Sequence, residues 1–64
     1  MRVIAGSCPD TNCPKILDPE DGSGDLLVQG YRTGMKTPEG EEIVRIPAAH
    51  LAEAVDLRRA EGGL

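Results

Sequence analysis

Large aromatic side chains are almost absent from this chain of 64 residues. It contains no tryptophan and no phenylalanine, and Tyr31 is its single tyrosine. A domain of this size buries only about 60% of the surface that its unfolded chain exposes. Small cores of this kind usually need a disulfide, a metal ion or a partner subunit as support. We therefore expect one small domain over residues 1–64 that associates with a second chain.

Long apolar runs and an excess of basic residues are also missing. No run approaches the roughly 20 apolar residues of a membrane span, and the apolar run at positions 3–5 is too short for the core of a signal peptide. The net charge is -4, with 11 acidic and 7 basic residues, whereas nucleic-acid affinity depends on clustered positive charge. These features predict a cytoplasmic protein that binds neither membranes nor nucleic acid.

Recognisable catalytic motifs are missing as well. His50 is the only histidine, and no serine or cysteine motif accompanies it, although a lone titrating group needs partners for catalysis. The glycines at positions 22 and 24 lack the lysine and the following helix of a phosphate-binding loop. The acidic segment 18–24 lacks the glutamate and the spacing of a calcium loop, and is typical of a solvated hairpin loop. We expect no enzymatic activity and no cofactor.

The two cysteines, Cys8 and Cys13, enclose four residues, the wide end of the spacings found in zinc sites. Only His50 could join them in one chain, so a metal site would be incomplete unless a dimer supplied both cysteines twice. A disulfide between Cys8 and Cys13 is a second possibility, and it would close a small loop. The reducing cytoplasm favours a third, two free thiols.

Four short segments have the composition of β-strands. Residues 2–5 form a β-branched run, and residues 15–17 could form a very short edge strand after Pro14. Residues 25–33 and 41–46 are predicted to be the two main strands of a hairpin, joined by a turn rich in glycine and proline. Residues 25–33 carry apolar groups on both faces, which indicates a central strand, and Gly30 within it indicates a bulge or a close backbone contact.

A helix is predicted from Pro47, a residue favoured at the first helical position, to position 61, where two glycines end it. Leu51, Val55 and Arg58 share one stripe of this helix, with Ala48 and Ala54 beside them. We expect this narrow stripe to pack on a sheet. The fold class is α+β: a small antiparallel sheet of three or four strands with one C-terminal helix packed on it.

Tyr31, Arg32 and Arg45 are predicted to form a cationic and aromatic patch on the hairpin. Tyrosine and arginine are enriched at the residues that dominate protein interfaces. These three residues are therefore our candidates for an interface with a second chain.

The order of these segments resembles a known family. The strand DLLVQGYRTG, the turn PEG, the strand EEIVRIP and a final helix, within residues 13–60, resemble small actinobacterial proteins of the domain-of-unknown-function 397 type, which include BldB-like developmental regulators. The resemblance implies a compact sheet with a C-terminal helix, a cytoplasmic location, self-association, and partnership with a helix-turn-helix regulator. The chain differs where the family has Arg-Asp-Ser, since Thr33 and Gly34 follow Arg32.

The segment VRIPAAHLAEA, residues 44–54, resembles the strand, proline and helix of AbrB-type swapped-hairpin proteins. That resemblance implies a dimer that binds DNA, against which the acidic balance argues. The prediction is a non-enzymatic, regulatory protein-interaction module that acts as a homodimer or with a regulator. The alternatives are an AbrB-like DNA-binding dimer and a small metal-binding protein that uses its cysteines.

Overall fold

The α+β layout predicted from the sequence is confirmed. A computed structural model describes residues 1–6 and 13–63. Within these ranges a small antiparallel three-stranded sheet and a two-stranded sheet accompany one C-terminal helix. The elements are β1 (Arg2–Ala5), β2 (Lys15–Asp18), β3 (Leu27–Gln29), β4 (Tyr31–Arg32), β5 (Val44–Arg45) and α1 (Ala48–Ala60).

The prediction that residues 15–17 form an edge strand is wrong. The strand order is β1-β2-β3, so β2 lies in the middle of the larger sheet and pairs antiparallel with both neighbours. Pro14 precedes β2 and takes no place in the ladder, so its missing N–H costs no hydrogen bond there. Ile16, at 1% exposure the most buried large side chain, provides the apolar contact of a central position.

Gly30 divides the predicted strand 25–33 into β3 and β4, which belong to different sheets. A Cβ atom at this position would lie 2.7 Å from the carbonyl oxygen of Arg45 and 2.7 Å from Cγ2 of Ile46. The predicted close backbone contact at Gly30 is therefore confirmed. The hairpin is present but short, because β4 and β5 pair only Tyr31 with Arg45 and Arg32 with Val44.

The buried core is small, and α1 contributes little to it. The buried apolar residues among those described are Ile4, Ala5, Ile16 and Ala54, with Ile46 and Leu57 packed against them. The helix packs over β1 and β2 and turns Ala54 toward the sheet. The prediction that the Leu51 stripe packs on the sheet is wrong, since Leu51 is 54% exposed and Val55 36%.

The ends of α1 lie close to their predicted positions. Pro47 is the N-cap, one residue before the helix, and its ψ of 136° is extended. At the other end Gly62 has a φ of 77°. Its N–H donates to the carbonyl of Arg59, and the N–H of Gly63 donates to the carbonyl of Arg58. This is a Schellman motif, in which glycine supplies the left-handed residue.

Ion pairs connect the last turns of α1 to the sheet. The Arg2 guanidinium donates two hydrogen bonds of 2.8 Å to the carboxylate of Glu61, and Arg58 lies 3.1 Å from Asp18. The hydrogen bond from Arg2 lowers the pKa of Glu61, and the same contact raises the pKa of Arg2. Because both pairs join α1 to β1 or β2, they hold the helix over this side of the sheet.

No helix in residues 1–6 and 13–63 is long and apolar enough to cross a membrane.

Candidate protein-interaction groove

The sheet offers more apolar surface than α1 covers. Ile16 of β2 lies directly opposite Val28 of β3, and directly opposed residues project from the same face of a sheet. Ile16 is 1% exposed beneath α1, whereas Val28 on the same face is 47% exposed. The helix thus covers the β1 and β2 side and leaves the β3 side open.

A groove lies between α1 and β3. It has a volume of about 200 Å³ and is lined by Ile16, Leu26 and Val28 on the sheet side and by Leu51, Ala54 and Val55 on the helix side, together with Gly24, Arg58 and Gly63. We call this set of residues the interaction groove. Most of its surface is apolar, as in typical binding sites of soluble proteins.

The large side chains of the interaction groove are half exposed. Leu51 is 54% exposed, Val28 47%, Leu26 37% and Val55 36%. Single exposed apolar residues are ordinary, whereas large contiguous apolar patches mark interaction sites. These four side chains meet around one groove and form a contiguous apolar surface.

Arg58 is the charged side chain of the interaction groove, and its charge is compensated. Its Nη1 atom donates a hydrogen bond of 3.1 Å to Asp18, and both side chains are largely buried, with exposures of 19% and 17%. A paired guanidinium presents its aliphatic stem as apolar surface. The chemistry of the groove therefore suits an apolar occupant.

The predicted patch of Tyr31, Arg32 and Arg45 is divided between two faces. Tyr31 lies opposite Arg45, and Arg32 lies opposite Val44. Since successive strand residues point to opposite faces, Tyr31 and Arg45 share one face and Arg32 lies on the other. All three are exposed, Tyr31 by 58%. The structure brings together two of the three residues.

The predicted cysteine and histidine sites are only partly within the described ranges. Cys13 is disulfide-bonded, and its carbonyl accepts a hydrogen bond of 3.1 Å from Nε2 of Gln29. Cys8 lies outside the described residues, so its pairing with Cys13 stays a prediction. A disulfide sulfur is not the thiolate that zinc requires.

His50 is half-buried, and its ring lies against Gly6, where a Cβ atom would be 2.7 Å from Cδ2. Outside positions 7–12 and 64, no three His, Cys, Asp or Glu residues are grouped so that they could hold a metal ion. The metal-binding alternative stays a prediction because Cys8 lies outside the residues that the structure describes.

The sequence predicted that Leu51 and Val55 pack on a sheet and that residues 25–33, which include Leu26 and Val28, form a central strand, whereas β3 lies at the edge of its sheet. Their apolar character is the same in both cases, so hydrophobicity alone could not separate the two roles. The sequence did contain one indication of the open surface. The apolar stripe of the predicted helix is alanine-rich and too narrow to cover a sheet of three strands.

The chain matches no protein-family model, and comparisons with curated proteins and with solved structures find no significant match.

Proposed function

We propose that this protein is a non-enzymatic, regulatory protein-interaction module that binds a second chain through the interaction groove. The second chain is either another copy of the protein or a separate regulator. The observation that carries the proposal is the half-exposed apolar patch around Leu51 and Val28, which α1 leaves open beside β3.

The size of the core supports this proposal. The buried apolar residues of the described ranges include two large side chains, Ile4 and Ile16, and two alanines. Large apolar groups such as Leu51 and Val28 remain half exposed instead. Covering them would remove apolar surface from water, at about 25 cal/mol for each Å². A second chain on the groove would therefore add to the stability of the fold as well as transmit a signal.

A helix-turn-helix regulator is the separate partner that we propose, because the resemblance of residues 13–60 to proteins of the domain-of-unknown-function 397 type implies such a partner. The apolar lining of the interaction groove fits an apolar surface of that regulator.

Photo-crosslinking in native cells tests the proposed function. A photoreactive amino acid at position 51 would stand in the groove, and the same amino acid at the exposed neighbouring position 52 would serve as the control. We expect position 51 to yield one dominant adduct, either twice the mass of the chain or the mass of the chain plus a regulator. Equal, diffuse labelling from positions 51 and 52 would contradict a specific groove.

We also propose that the module acts in the cytoplasm. The resemblance of residues 13–60 to proteins of the domain-of-unknown-function 397 type implies that location. Cell fractionation with immunodetection of the chain tests the compartment, and a known cytoplasmic protein is the control. We expect the chain in the fraction that holds this control. Recovery of the chain outside that fraction would contradict the proposal.

A further inference from the structure

We propose that the occupant of the interaction groove is a second copy of this chain, docked by antiparallel pairing of β3 with β3 of that copy. The two three-stranded sheets then form one continuous sheet of six strands. This inference rests on the proposed function and names the partner.

The outer edge of β3 makes this pairing possible. β3 stands last in the strand order, and among the strands that the structure describes it pairs with β2. An edge strand presents a row of backbone N–H and C=O groups that can pair with another strand. Its side chains Leu27 and Val28 are 42% and 47% exposed. The edge lacks the charged side chains with which proteins commonly protect such strands.

Apolar residues stand at every second position around β3, which is the pattern that an occupant of the groove needs. Val28 lies on the groove face, and Leu26, two residues earlier, also lines the groove. A strand added beside β3 fills the groove when every second residue is apolar. In a two-fold arrangement Leu26 of one copy lies beside Val28 of the other, and the reverse. The same four residues therefore form both sides of the contact.

The chain exposes more surface than a compact monomer of its mass. The chain exposes 4808 Å², whereas the scaling law for folded monomers gives about 4,000 Å² for its mass. The excess of roughly 800 Å² equals the area that each partner contributes to an interface of standard size. The radius of gyration, 12.5 Å, likewise exceeds the about 11 Å expected of a compact domain of this length.

The negative net charge does not oppose this arrangement at short range. Asp25 immediately precedes the paired segment. In the two-fold arrangement it lies opposite Gln29 of the other copy, so the two Asp25 side chains stand about 13 Å apart along the strands. That separation exceeds the screening length of about 8 Å at physiological ionic strength. The remaining repulsion comes from the net charge of -4 on each copy. Because salt screens this repulsion, added salt should strengthen the dimer.

Light scattering after size exclusion tests the inference on the purified chain. The variant Val28→Lys places a charge at the centre of the contact, and Val3→Lys is its control. Val3 has similar exposure, 43%, and lies in β1 at the opposite edge of the same sheet. We expect twice the chain mass for the wild type and for Val3→Lys at about 100 µM protein, well above a micromolar Kd. Val28→Lys should weaken association about 100-fold, as a buried like-charge contact does.

A second variant separates loss of association from loss of folding. Leu26→Lys changes a residue outside the β3 ladder, and circular dichroism confirms that each variant retains the helix. Dimers that persist in both Val28→Lys and Leu26→Lys would overturn the inference, as would a wild type that is monomeric at every concentration. If the wild type is monomeric while position 51 crosslinks to a regulator, the proposed function stands and this inference fails. If the wild type is monomeric and position 51 yields no specific adduct, the proposed function and this inference both fail.

Discussion

Gly30 is the residue on which the division of the chain into two sheets depends. Its α-carbon faces the backbone of β5, so that a Cβ atom would meet the Arg45 carbonyl and the Ile46 side chain at 2.7 Å. Real Cβ contacts are longer, and backbone cannot move aside as a flexible side chain can. Gly30→Ala should therefore destabilise the protein by about 1–3 kcal/mol, the usual cost of overpacking, as measured by urea unfolding.

Gly63→Ala is the matched control, because neither glycine has a positive φ. A Cβ atom at Gly63 would approach the guanidinium of Arg58 at 3.0 Å. Unlike backbone, this side chain can turn aside, although doing so weakens its ion pair with Asp18. We expect this control to cost less than Gly30→Ala, about 1 kcal/mol at most. Equal effects of the two substitutions would mean that Gly30 is not sterically required.

The contact between Arg2 and Glu61 makes a pH-dependent contribution to stability. Since Arg2 lowers the pKa of Glu61 in the folded state, the folded state favours the carboxylate more than the unfolded state does. The contribution is complete above the ordinary glutamate pKa of about 4.3 and is lost as the pH falls through the lowered value. Glu61→Gln should therefore differ more from the wild type at neutral pH than at a pH of about 3.

Denaturant titrations of both proteins at the two pH values measure this difference. Glu39→Gln is the control for the loss of one negative charge, because Glu39 is an exposed carboxylate in the turn between β4 and β5. High salt should reduce the effect of Glu61→Gln by screening the exposed pair. A difference that grows as the pH falls would contradict the assigned direction.

At the scale of elements, the orientation of α1 decides which of its residues are buried against the sheet. Ala54 is 3% exposed and packs on the sheet, whereas Ala52 is exposed. Ala54→Leu should therefore cost about 1–3 kcal/mol, because the added atoms must displace packed neighbours. Ala52→Leu should change stability by less than about 0.5 kcal/mol. Thermal unfolding followed by circular dichroism compares the two variants.

The reverse ranking of these variants would mean that α1 packs through a different face. A small loss of stability in Ala54→Leu would also be informative. It would mean that α1 moves away from the sheet to accommodate the leucine, and this movement would break the ion pair of Arg58 with Asp18. That loss would make Asp18→Asn less destabilising in Ala54→Leu than in the wild type.

The existence of the elements could be predicted from local sequence, but their arrangement could not. β-branched residues mark β1, and proline and glycine mark the two ends of α1, because these preferences act within a few residues. The central place of β2 depends on pairing with β1 and β3 at a distance in sequence, which composition does not encode. The rotation of α1 was also beyond prediction, because its alanines fit either face.

For the whole molecule, the candidate site was the least predictable feature. Tyr31 and Arg45 are neighbours as expected, but strand alternation separates Arg32 from them. The interaction groove arises because one helix covers only part of a sheet, a property of the assembled fold. Its residues carry the ordinary signature of a core, so only the packing distinguishes Leu51, which is 54% exposed, from Ile4, which is 4% exposed.

The distribution of charge argues against the AbrB-like alternative. Arg2 and Arg58 are paired with Glu61 and Asp18, and the two arginines of the hairpin lie on opposite faces. DNA binding requires several cations on one surface, because affinity comes largely from the release of counterions by neutralised phosphates. Four of the seven cations are thus compensated by acids or divided between two faces.

We therefore expect no retention of duplex DNA in a mobility-shift assay, even at about 50 mM salt, where phosphate contacts are strongest. The double variant Glu41→Lys, Glu42→Lys is the positive control. It adds cations beside β5 and brings the net charge of -4 to neutral, so it should show weak, salt-sensitive binding if the assay is sensitive enough. Retention of the wild-type chain that declines with added salt would restore the DNA-binding alternative. If neither protein is retained, the assay needs a more basic variant as its positive control before the result counts against DNA binding.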